Sequence, residues 1–210
     1  MNRKKIKAGF YSELIRTVFQ AADDSGKLRN RVVAVTSATP GEGVSHVVDL
    51  LAEELATQTQ HRVLRVEAAA LHNIRITDPN QVSRYCEETE IDNLLTLTAD
   101  ATVPSVGVVG GSRRASHWEL IPEYRTELVK ALRWNFDYVL IDCPSPATSS
   151  DAATLAPVVD GVCVVVKAGQ TRRGQIQRCQ QIIANANGTF LGFILNKRKY
   201  PVPNWLYQRL

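Results

Sequence analysis

The sequence has no long apolar run and few cysteines. Strongly apolar runs such as Val162–Val166 are far shorter than the roughly 20 residues of a membrane-spanning helix, so we expect no such helix. The cysteines have no C-x-x-C spacing, and the four histidines lack the spacing of metal ligands. These absences argue against a disulfide framework or a zinc site, and they predict buried thiols at Cys86, Cys143, Cys163 and Cys179.

An excess of one charge is also absent. The 25 Lys and Arg against 21 Asp and Glu leave a net charge of +4, which is too small to indicate nucleic acid, and we expect no such partner. The basic clusters, Arg3–Lys7, Lys197–Lys199 and Arg209, are interpreted as solvated faces; the alternative is weak attraction to an anionic membrane. Glu13 and Arg16 interrupt the N-terminal segment, unlike in a signal peptide. We therefore expect a cytoplasmic protein, with peripheral binding to the inner face of the plasma membrane as the alternative.

Strand and helix patterns alternate along the 210 residues. Continuous apolar runs are typical of parallel strands that are covered on both faces. This alternation predicts a single α/β domain over residues 1–210, a three-layer sandwich around a mostly parallel central sheet. The predicted strands are Val32–Ser37, Arg62–Glu67, Phe136–Asp142, Gly161–Lys167 and Phe190–Asn196.

Apolar residues at helical spacing predict the helices that cover this sheet. One begins at Val44, another spans 117–134, and a third spans 172–187, with Gly188 placed to end it. The N-terminal helical segment, 1–30, contains an amphipathic helix at Ser12–Ala22.

Two further segments are less regular. Residues 68–115 are predicted to hold a short helix near 81–88 and an extra strand near 105–109, and residues 197–210 form a C-terminal tail.

The turn between the first strand and its helix has the sequence Ala38-Thr-Pro-Gly-Glu-Gly-Val-Ser45. A P-loop reads [AG]-x-x-x-x-G-K-[ST], so Ala38, Gly43 and Ser45 match while Val44 replaces the lysine. Glycines allow backbone N–H groups to face a phosphate, and the helix N-terminus adds positive potential. The alternative is a glycine-containing turn with no ligand. The predicted phosphate-binding residues are Thr39, Pro40, Gly41, Glu42, Gly43, Val44, Ser45 and His46.

Val44 alters the chemistry of this loop. The lysine that it replaces is a cation on the terminal phosphates, and losing one such preorganised donor raises the barrier by about 3–4 kcal/mol. Ser45 keeps a hydroxyl that can hold Mg²⁺. His46 either reaches a phosphate or has a surface or packing role.

Three segments together resemble a known family. They are VVAVTSATPGEGVSHVVDLLAEELA from Val32, FDYVLIDCPSP from Phe136, and the stretch from Val158 to Arg198. In this order they resemble the cytoplasmic domain of the bacterial tyrosine kinases that regulate capsular and exopolysaccharide chain length. The resemblance covers about residues 10–200. It implies a P-loop NTPase-like fold, ATP or ADP with Mg²⁺, and a membrane polysaccharide chain-length or export protein as partner.

The resemblance also assigns individual residues. Asp142 matches the Walker B aspartate and would hold Mg²⁺ with Ser45; the alternative is a cap or turn residue. Asn196 matches a position near the adenine base. Glu13 and Arg16 match part of a helix that builds a ring of subunits, and the alternative is a local i,i+3 ion pair.

The sequence departs from the family in the groups that carry catalysis. Glu67-Ala-Ala-Ala-Leu71 replaces the family's acidic D-x-D-x-R stretch, and Val44 replaces the P-loop lysine. Phe19 replaces the last arginine of the ring-building helix. The tail holds only Tyr200 and Tyr207 instead of a tyrosine cluster.

These departures predict a degenerate protein with no catalytic residue and, at most, weak binding of ATP or ADP with Mg²⁺. It would be a regulator or scaffold that forms a weak homo-oligomer or binds an active homologous kinase. The alternative is an active ATPase or autokinase whose missing cation comes from Arg172, Arg173 or another subunit. A partition-type ATPase is disfavoured because Thr39 stands where those proteins have a second lysine.

Overall fold

A computed structural model describes residues 11–19, 31–72, 74, 79–99 and 121–198. In these ranges the chain forms a seven-stranded sheet of order β3-β4-β2-β5-β1-β6-β7, in which only the β3–β4 pair is antiparallel. The predicted mostly parallel α/β sheet is confirmed. The strands are β1 (Arg31–Ser37), β2 (Val63–Glu67), β3 (Glu87–Glu88), β4 (Leu94–Leu97), β5 (Tyr138–Asp142), β6 (Gly161–Lys167) and β7 (Phe190–Asn196).

Helices cover both faces of this sheet. One apolar cluster packs α1 and α2 on one face, and a second packs the remaining helices on the other. The helices are α1 (Ser12–Val18), α2 (Val44–Thr59), α3 (Ala68–Leu71), a 3₁₀ helix (Pro79–Tyr85), α4 (Pro122–Asn135), α5 (Asp151–Leu155) and α6 (Arg173–Asn185).

Residues Val32–Val35 of strand β1 form an apolar run because both faces of the strand are buried. Successive side chains of a strand point to opposite faces of the sheet. Val33 and Val35 belong to the cluster under α1 and α2, whereas Val32 and Ala34 belong to the opposite cluster. All four side chains are at most 1% exposed. The run VVAV therefore needs no polar alternation, as expected for a central parallel strand.

The region after β2 differs most from the prediction. The short helix predicted near 81–88 is a 3₁₀ helix that begins at Pro79 and is followed by the two-residue strand β3. Strand β4 was not predicted, because four residues are too few to show a period of two. It exists because it pairs with β2, and Asn93, at φ 64°, makes the turn that precedes it. The strand predicted near 105–109 lies outside the described residues.

Helices α6 and α1 also end at other residues than predicted. Helix α6 ends at Asn185, and the residue with left-handed backbone is Asn187, at φ 57°. Gly188 instead packs closely against Ala156. A Cβ at position 188 would lie 2.5 Å from the Cβ of Ala156, which is too close for a side chain. Helix α1 ends at Val18, and the predicted remainder, 20–22, lies outside the described residues.

The predicted burial of the thiols is confirmed for three of the four cysteines, and Cys86 is half-buried. Burial raises the pKa of the Cys163 thiol to about 12 and that of Cys86 to about 11. No group of three potential His, Cys, Asp or Glu metal ligands occurs within the described ranges. None of the described helices is both long enough and apolar enough to cross a bilayer.

Asp160 joins the start of β1 to α4. Its Oδ2 accepts hydrogen bonds from the Val32 N–H and from Nη1 of Arg133, both at 2.7 Å. We expect Asp160→Ala to lower the free energy of unfolding by about 1–3 kcal/mol, because the buried Val32 N–H then lacks its carboxylate acceptor. Urea unfolding followed by circular dichroism measures this loss.

The matched control for this prediction is Glu127→Ala. Glu127 forms an exposed i,i+3 ion pair with Lys130 at 2.8 Å, a type of pair that contributes about 0.5 kcal/mol or less. Equal losses in the two variants would contradict the role assigned to Asp160.

Candidate functional site

The site lies at the carboxyl end of β1, where the chain turns into α2. Strand β1 has β5 and β6 as its neighbours, and ligands of parallel α/β sheets bind at this edge. Gly41 and Gly43 have φ values of 81° and 94°, which only glycine adopts without strain. At Gly43 a Cβ would also lie 2.6 Å from Nδ2 of Asn196. Both glycines are therefore required by the turn.

The loop opens onto a cleft of about 440 Å³. Residues that follow three neighbouring strands line it: Pro40, Gly41 and Gly43–His46 after β1, Glu67–Ala69 after β2, and Asp142–Ser145 after β5. The fold thus brings together most of the predicted loop residues, the Walker B aspartate and the altered acidic stretch. Thr39 instead lines a neighbouring cavity of about 240 Å³.

Glu42 is buried in the loop, where its side chain braces the backbone. The residue is only 2% exposed. Its carboxylate accepts hydrogen bonds from the Thr39 N–H at 3.0 Å, from the Lys167 N–H at 3.3 Å and from the Thr171 hydroxyl. Charge-assisted bonds of this kind are stronger than neutral ones. Glu42 therefore fixes the loop to the turn that follows β6, a role that its loop position alone did not indicate.

The end of β7 braces the loop from the outside. The Asn196 side-chain amide donates to the Glu42 carbonyl at 2.9 Å, and Nζ of Lys197 donates to the Gly41 carbonyl at 2.8 Å. Contact of Asn196 with an adenine base stays a prediction. The sequence places Lys197 only in a basic cluster, and nothing in its sequence context indicates the loop contact.

Val44 and its neighbours show how the altered P-loop packs. Val44 is 8% exposed and belongs to the apolar cluster of α1 and α2. Ser45 is exposed, and its hydroxyl hydrogen-bonds the carboxylate of Asp142. His46 is exposed and lines the cleft. The loop thus keeps the Ser45 hydroxyl near Asp142 while an apolar side chain fills the lysine position.

Arg65 contacts two carboxylates that line the cleft, and the sequence interpretation does not single it out. It lies in β2, and its guanidinium contacts three carboxylates: Nε to Asp49 at 3.0 Å, Nη1 to Glu67 at 2.9 Å and Nη2 to Asp142 at 3.5 Å. Its side chain is 13% exposed. Burial alone would lower the pKa of Arg65, but the hydrogen bond to Glu67 and the three negative charges raise it overall. A charged residue inside the apolar run VLRVE was the available signal, because a buried arginine requires acidic partners.

The two carboxylates nearest the loop have opposite pKa shifts. Burial raises the pKa of Asp142, and it outweighs the Ser45 hydrogen bond and the charge of Arg65. Burial also acts to raise the pKa of Glu67, but bonds from the Ala99 N–H and from Arg65 lower it overall. A carboxylate with a lowered pKa is a weaker base than usual. Glu67 is therefore poorly suited to take a proton from an attacking hydroxyl.

Comparisons with known proteins support the resemblance, although no family model matches the chain. The chain is 28% identical over 204 residues to tyrosine-protein kinase CpsD of Streptococcus agalactiae, covering 93% of this chain and 86% of CpsD. The structure matches that of the chimerical protein CapA2B2 with a TM-score of 0.69, at 21% identity and over 94% and 88% of the two chains. Over most of its length the chain is thus similar in sequence to a protein named as a bacterial tyrosine-protein kinase.

A second relative has a different size. The chain is 28% identical over 202 residues to the succinoglycan biosynthesis transport protein ExoP of Rhizobium meliloti. The match covers 89% of this chain but only 25% of ExoP. The chain thus also resembles part of a protein named for succinoglycan biosynthesis and transport.

The two residues that are predicted to join subunits lie on α1. Glu13 and Arg16 are exposed. Within the described part of the chain, no ion pair joins them. Phe19 is 1% exposed and packs edge-to-face on Tyr138, with ring centroids 5.9 Å apart. Phe19 is thus a core residue rather than a surface contact.

The structure describes two of the remaining candidate residues, both of them arginines. Arg172 and Arg173 are exposed at the N-terminus of α6. Tyr200 and Tyr207 lie outside the described residues.

We predict that Glu42→Gln lowers the free energy of unfolding by about 1–3 kcal/mol, because the amide cannot accept all the bonds made to the carboxylate. The N–H of Thr39 should also exchange with solvent faster. Denaturant unfolding and hydrogen exchange measure the two effects. The control is Glu90→Gln at an exposed position, expected to change stability by about 0.5 kcal/mol or less. Unchanged exchange at Thr39 in Glu42→Gln would contradict the bracing role.

Proposed function

We propose that this protein is a catalytically inactive tyrosine kinase homologue that acts as a regulator or scaffold in capsule or exopolysaccharide synthesis. The similarity to CpsD and ExoP supports the pathway. The observation that carries the proposed inactivity is Val44, an apolar and buried side chain at the position of the P-loop lysine.

Position 44 supplies no cation, because valine is uncharged. Its side chain packs into the apolar cluster under α2, so it presents no ammonium group to the cleft. A P-loop lysine neutralises charge that develops on the transferred phosphoryl group. Without it, the barrier rises by about 3–4 kcal/mol, which corresponds to more than a hundredfold in rate.

The acidic stretch adds a second, independent loss. Glu67 is bound by Arg65 and by the Ala99 N–H, which lowers its pKa and its strength as a base. Ala69 stands at the place of the second acid and can neither accept a proton nor bind a metal. Both losses act on the phosphoryl-transfer step and leave the fold intact.

Three features of the loop support phosphate binding without turnover. The left-handed glycines keep their conformation, α2 begins at the loop, and Ser45 contacts Asp142. A helix N-terminus and turned backbone N–H groups attract an anion even without a lysine. We therefore propose weak binding of ATP or ADP by residues 39–46, with no catalytic residue.

A second candidate function is an active ATPase or autokinase that uses another cation. The observation in its favour is Arg65, whose Nη2 lies 3.5 Å from Asp142. The exposed Arg172 and Arg173, or another subunit, are the cations that the sequence suggested.

The proposed partners follow from the same homology. They are a membrane polysaccharide chain-length or export protein, or an active homologous kinase, bound at the inner face of the plasma membrane. The basic residues of 3–7 would contribute at most about 1 kcal/mol each at an anionic surface. A single domain over residues 1–210 and the absence of a nucleic-acid partner belong to this proposal.

The purified protein should neither hydrolyse ATP nor phosphorylate itself on tyrosine at a kinase-like rate. Phosphate release and anti-phosphotyrosine blotting measure the two activities. The matched variant is Val44→Lys, which restores the cation but not the acidic pair. It should tighten ADP binding without turnover, because catalytic groups that act as a unit are strongly non-additive.

Two outcomes would contradict the proposed inactivity. One is turnover of about 1 per second or faster that disappears in Asp142→Ala. The other is tyrosine phosphorylation in Val44→Lys alone, which would show that Glu67 and Ala69 suffice.

The isolated chain should remain mainly monomeric at micromolar concentration. Phe19 is buried where the family places a ring-building arginine, so Glu13 and Arg16 are left with one cationic contact fewer. Light scattering measures the mass. A stable ring that dissociates on Glu13→Ala would refute weak association, and Glu90→Ala at an exposed position is the matched control.

A further inference from the structure

Charged residues are distributed unevenly along the chain. Residues 161–210 contain eight Lys and Arg and no Asp or Glu. All 21 acidic residues therefore precede position 161, where they outnumber the Lys and Arg of that part. The net charge of +4 thus combines a basic last quarter with an acidic remainder, and the fold places the two charges on different surfaces.

The basic residues lie at one edge of the sheet. Lys197 and Arg198 are exposed and follow β7, the last strand of the described sheet. Arg173 is exposed on α6, about 140° around the helix from Arg178. Arg178 lines the cavity of about 240 Å³ together with the loop after β5, so Arg173 lies on the flank toward β7. We call Arg173, Lys197 and Arg198 the basic edge.

Two apolar side chains of β7 are exposed beside these cations. Phe193 is 43% exposed and Leu195 59%. They pair with Val164 and Val166 of β6, whose side chains belong to the same apolar cluster as α6, so both point to the α6 side of the sheet. The basic edge therefore has apolar area that a neighbouring molecule can cover.

The opposite edge of the sheet is acidic. It is formed by β3, the first strand in the sheet order, and by the turn that leads to β4. Its acidic side chains are all exposed, and they are Glu87, Glu88, Glu90 and Asp92. Among the residues that the structure describes, none of them forms an ion pair. We call these four residues the acidic edge.

The two edges are too far apart to neutralise each other within one chain. Strand β3 and strand β7 are separated by six strand intervals of about 4.8 Å, or roughly 29 Å in all. The Debye length at physiological salt is about 8 Å. The opposite charges of the two edges can therefore meet only when two copies of the chain come together.

The charges favour a second copy over a segment of the same chain. The terminal segments 1–10 and 199–210, which lie outside the described residues, contain Lys and Arg but no acidic residue, so they do not complement the basic edge. Charges that only kept sheet edges from pairing would act best with one sign on both edges, since like charges repel. Opposite signs instead attract the unlike edges and disfavour contact of an edge with itself.

We propose that the basic edge of one copy binds the acidic edge of the next, so that the chain associates head to tail through the two edges of its sheet. Such a heterologous contact forms a ring or an open row of copies. Exposed ion pairs are individually weak, so the contact forms above micromolar concentration, where the chain is mainly monomeric. The inference goes beyond the proposed function, because it uses neither Glu13 and Arg16 nor the nucleotide site.

Sedimentation equilibrium of the nucleotide-free chain, from micromolar to submillimolar concentration, tests this contact. In about 0.01 M salt, where the Debye length is about 30 Å, the wild-type chain should associate. In about 1 M salt, where that length is about 3 Å, association should be at least about tenfold weaker.

Two charge-reversal variants locate the contact. The first carries Glu87→Lys and Glu88→Lys, and the second carries Arg173→Glu and Arg198→Glu; Lys197 is left unchanged because it holds the loop. Each variant alone should associate at least about tenfold more weakly than the wild type in low salt. An equimolar mixture of the two should associate again, because the first keeps its basic edge and the second its acidic edge.

Matched controls reverse charges elsewhere. Glu123→Lys with Glu127→Lys changes two exposed residues of α4, which packs on the central strands β1 and β5, and Arg178→Glu changes the other flank of α6. Both should associate within about threefold of the wild type. Circular dichroism checks that each variant folds. If a double variant does not fold, the single substitutions Glu88→Lys and Arg173→Glu and the salt dependence of the wild type decide.

Four outcomes would overturn the proposal. They are a wild-type chain that stays monomeric at submillimolar concentration in low salt, association that is independent of salt, edge variants that associate like the wild type, and a mixture that stays dissociated. The first would result if the basic edge served an acidic partner of another kind. Loss of association in Glu13→Ala would also contradict the proposal, because Glu13 lies on α1. ATP turnover would contradict only the proposed inactivity, since sedimentation is measured without nucleotide.

Discussion

Burial of β1 on both faces is the constraint on which the rest of the structure depends. Its apolar side chains divide between two clusters, which requires helices on both sides of the sheet and strands on both edges of β1. This arrangement brings the ends of β1, β2 and β5 side by side. That packing brings the altered P-loop together with Glu67 and Asp142, which are far apart in the sequence.

The loop itself is held by polar contacts that the apolar packing cannot supply. Glu42 binds the backbone of its own loop and the turn after β6, while Asn196 and Lys197 bind loop carbonyls from the end of β7. A loop fixed in this way keeps its shape without a ligand. Loss of the lysine at position 44 therefore removes a charge but not the architecture, which is why the scaffold and the chemistry can diverge.

The sequence predicts best where one physical signal dominates. Apolar runs located five strands, including β6 and β7 at their observed bounds. Strand β6 is buried on both faces, as such a run predicts, whereas the edge strand β7 is apolar although it is mostly half-buried or exposed. Strand β4 escaped prediction since its existence depends on pairing with β2 rather than on its own four residues. Within the site, the sequence predicts the loop glycines and Asp142 from the spacing of their motifs. It does not predict the partners of Arg65 and Glu42, because those contacts join residues far apart in the chain.

The attachment of the loop to β7 has a consequence for local motion. Strand β7 is the last strand of the described sheet and pairs only with β6 within it. Edge strands separate from a sheet more readily than central ones, and such openings require less free energy than global unfolding. When the carboxyl end of β7 detaches, Gly41 and Glu42 lose their outer carbonyl partners together. The fluctuation rate of a loop at the centre of the sheet is thereby coupled to the fraying of its outermost strand.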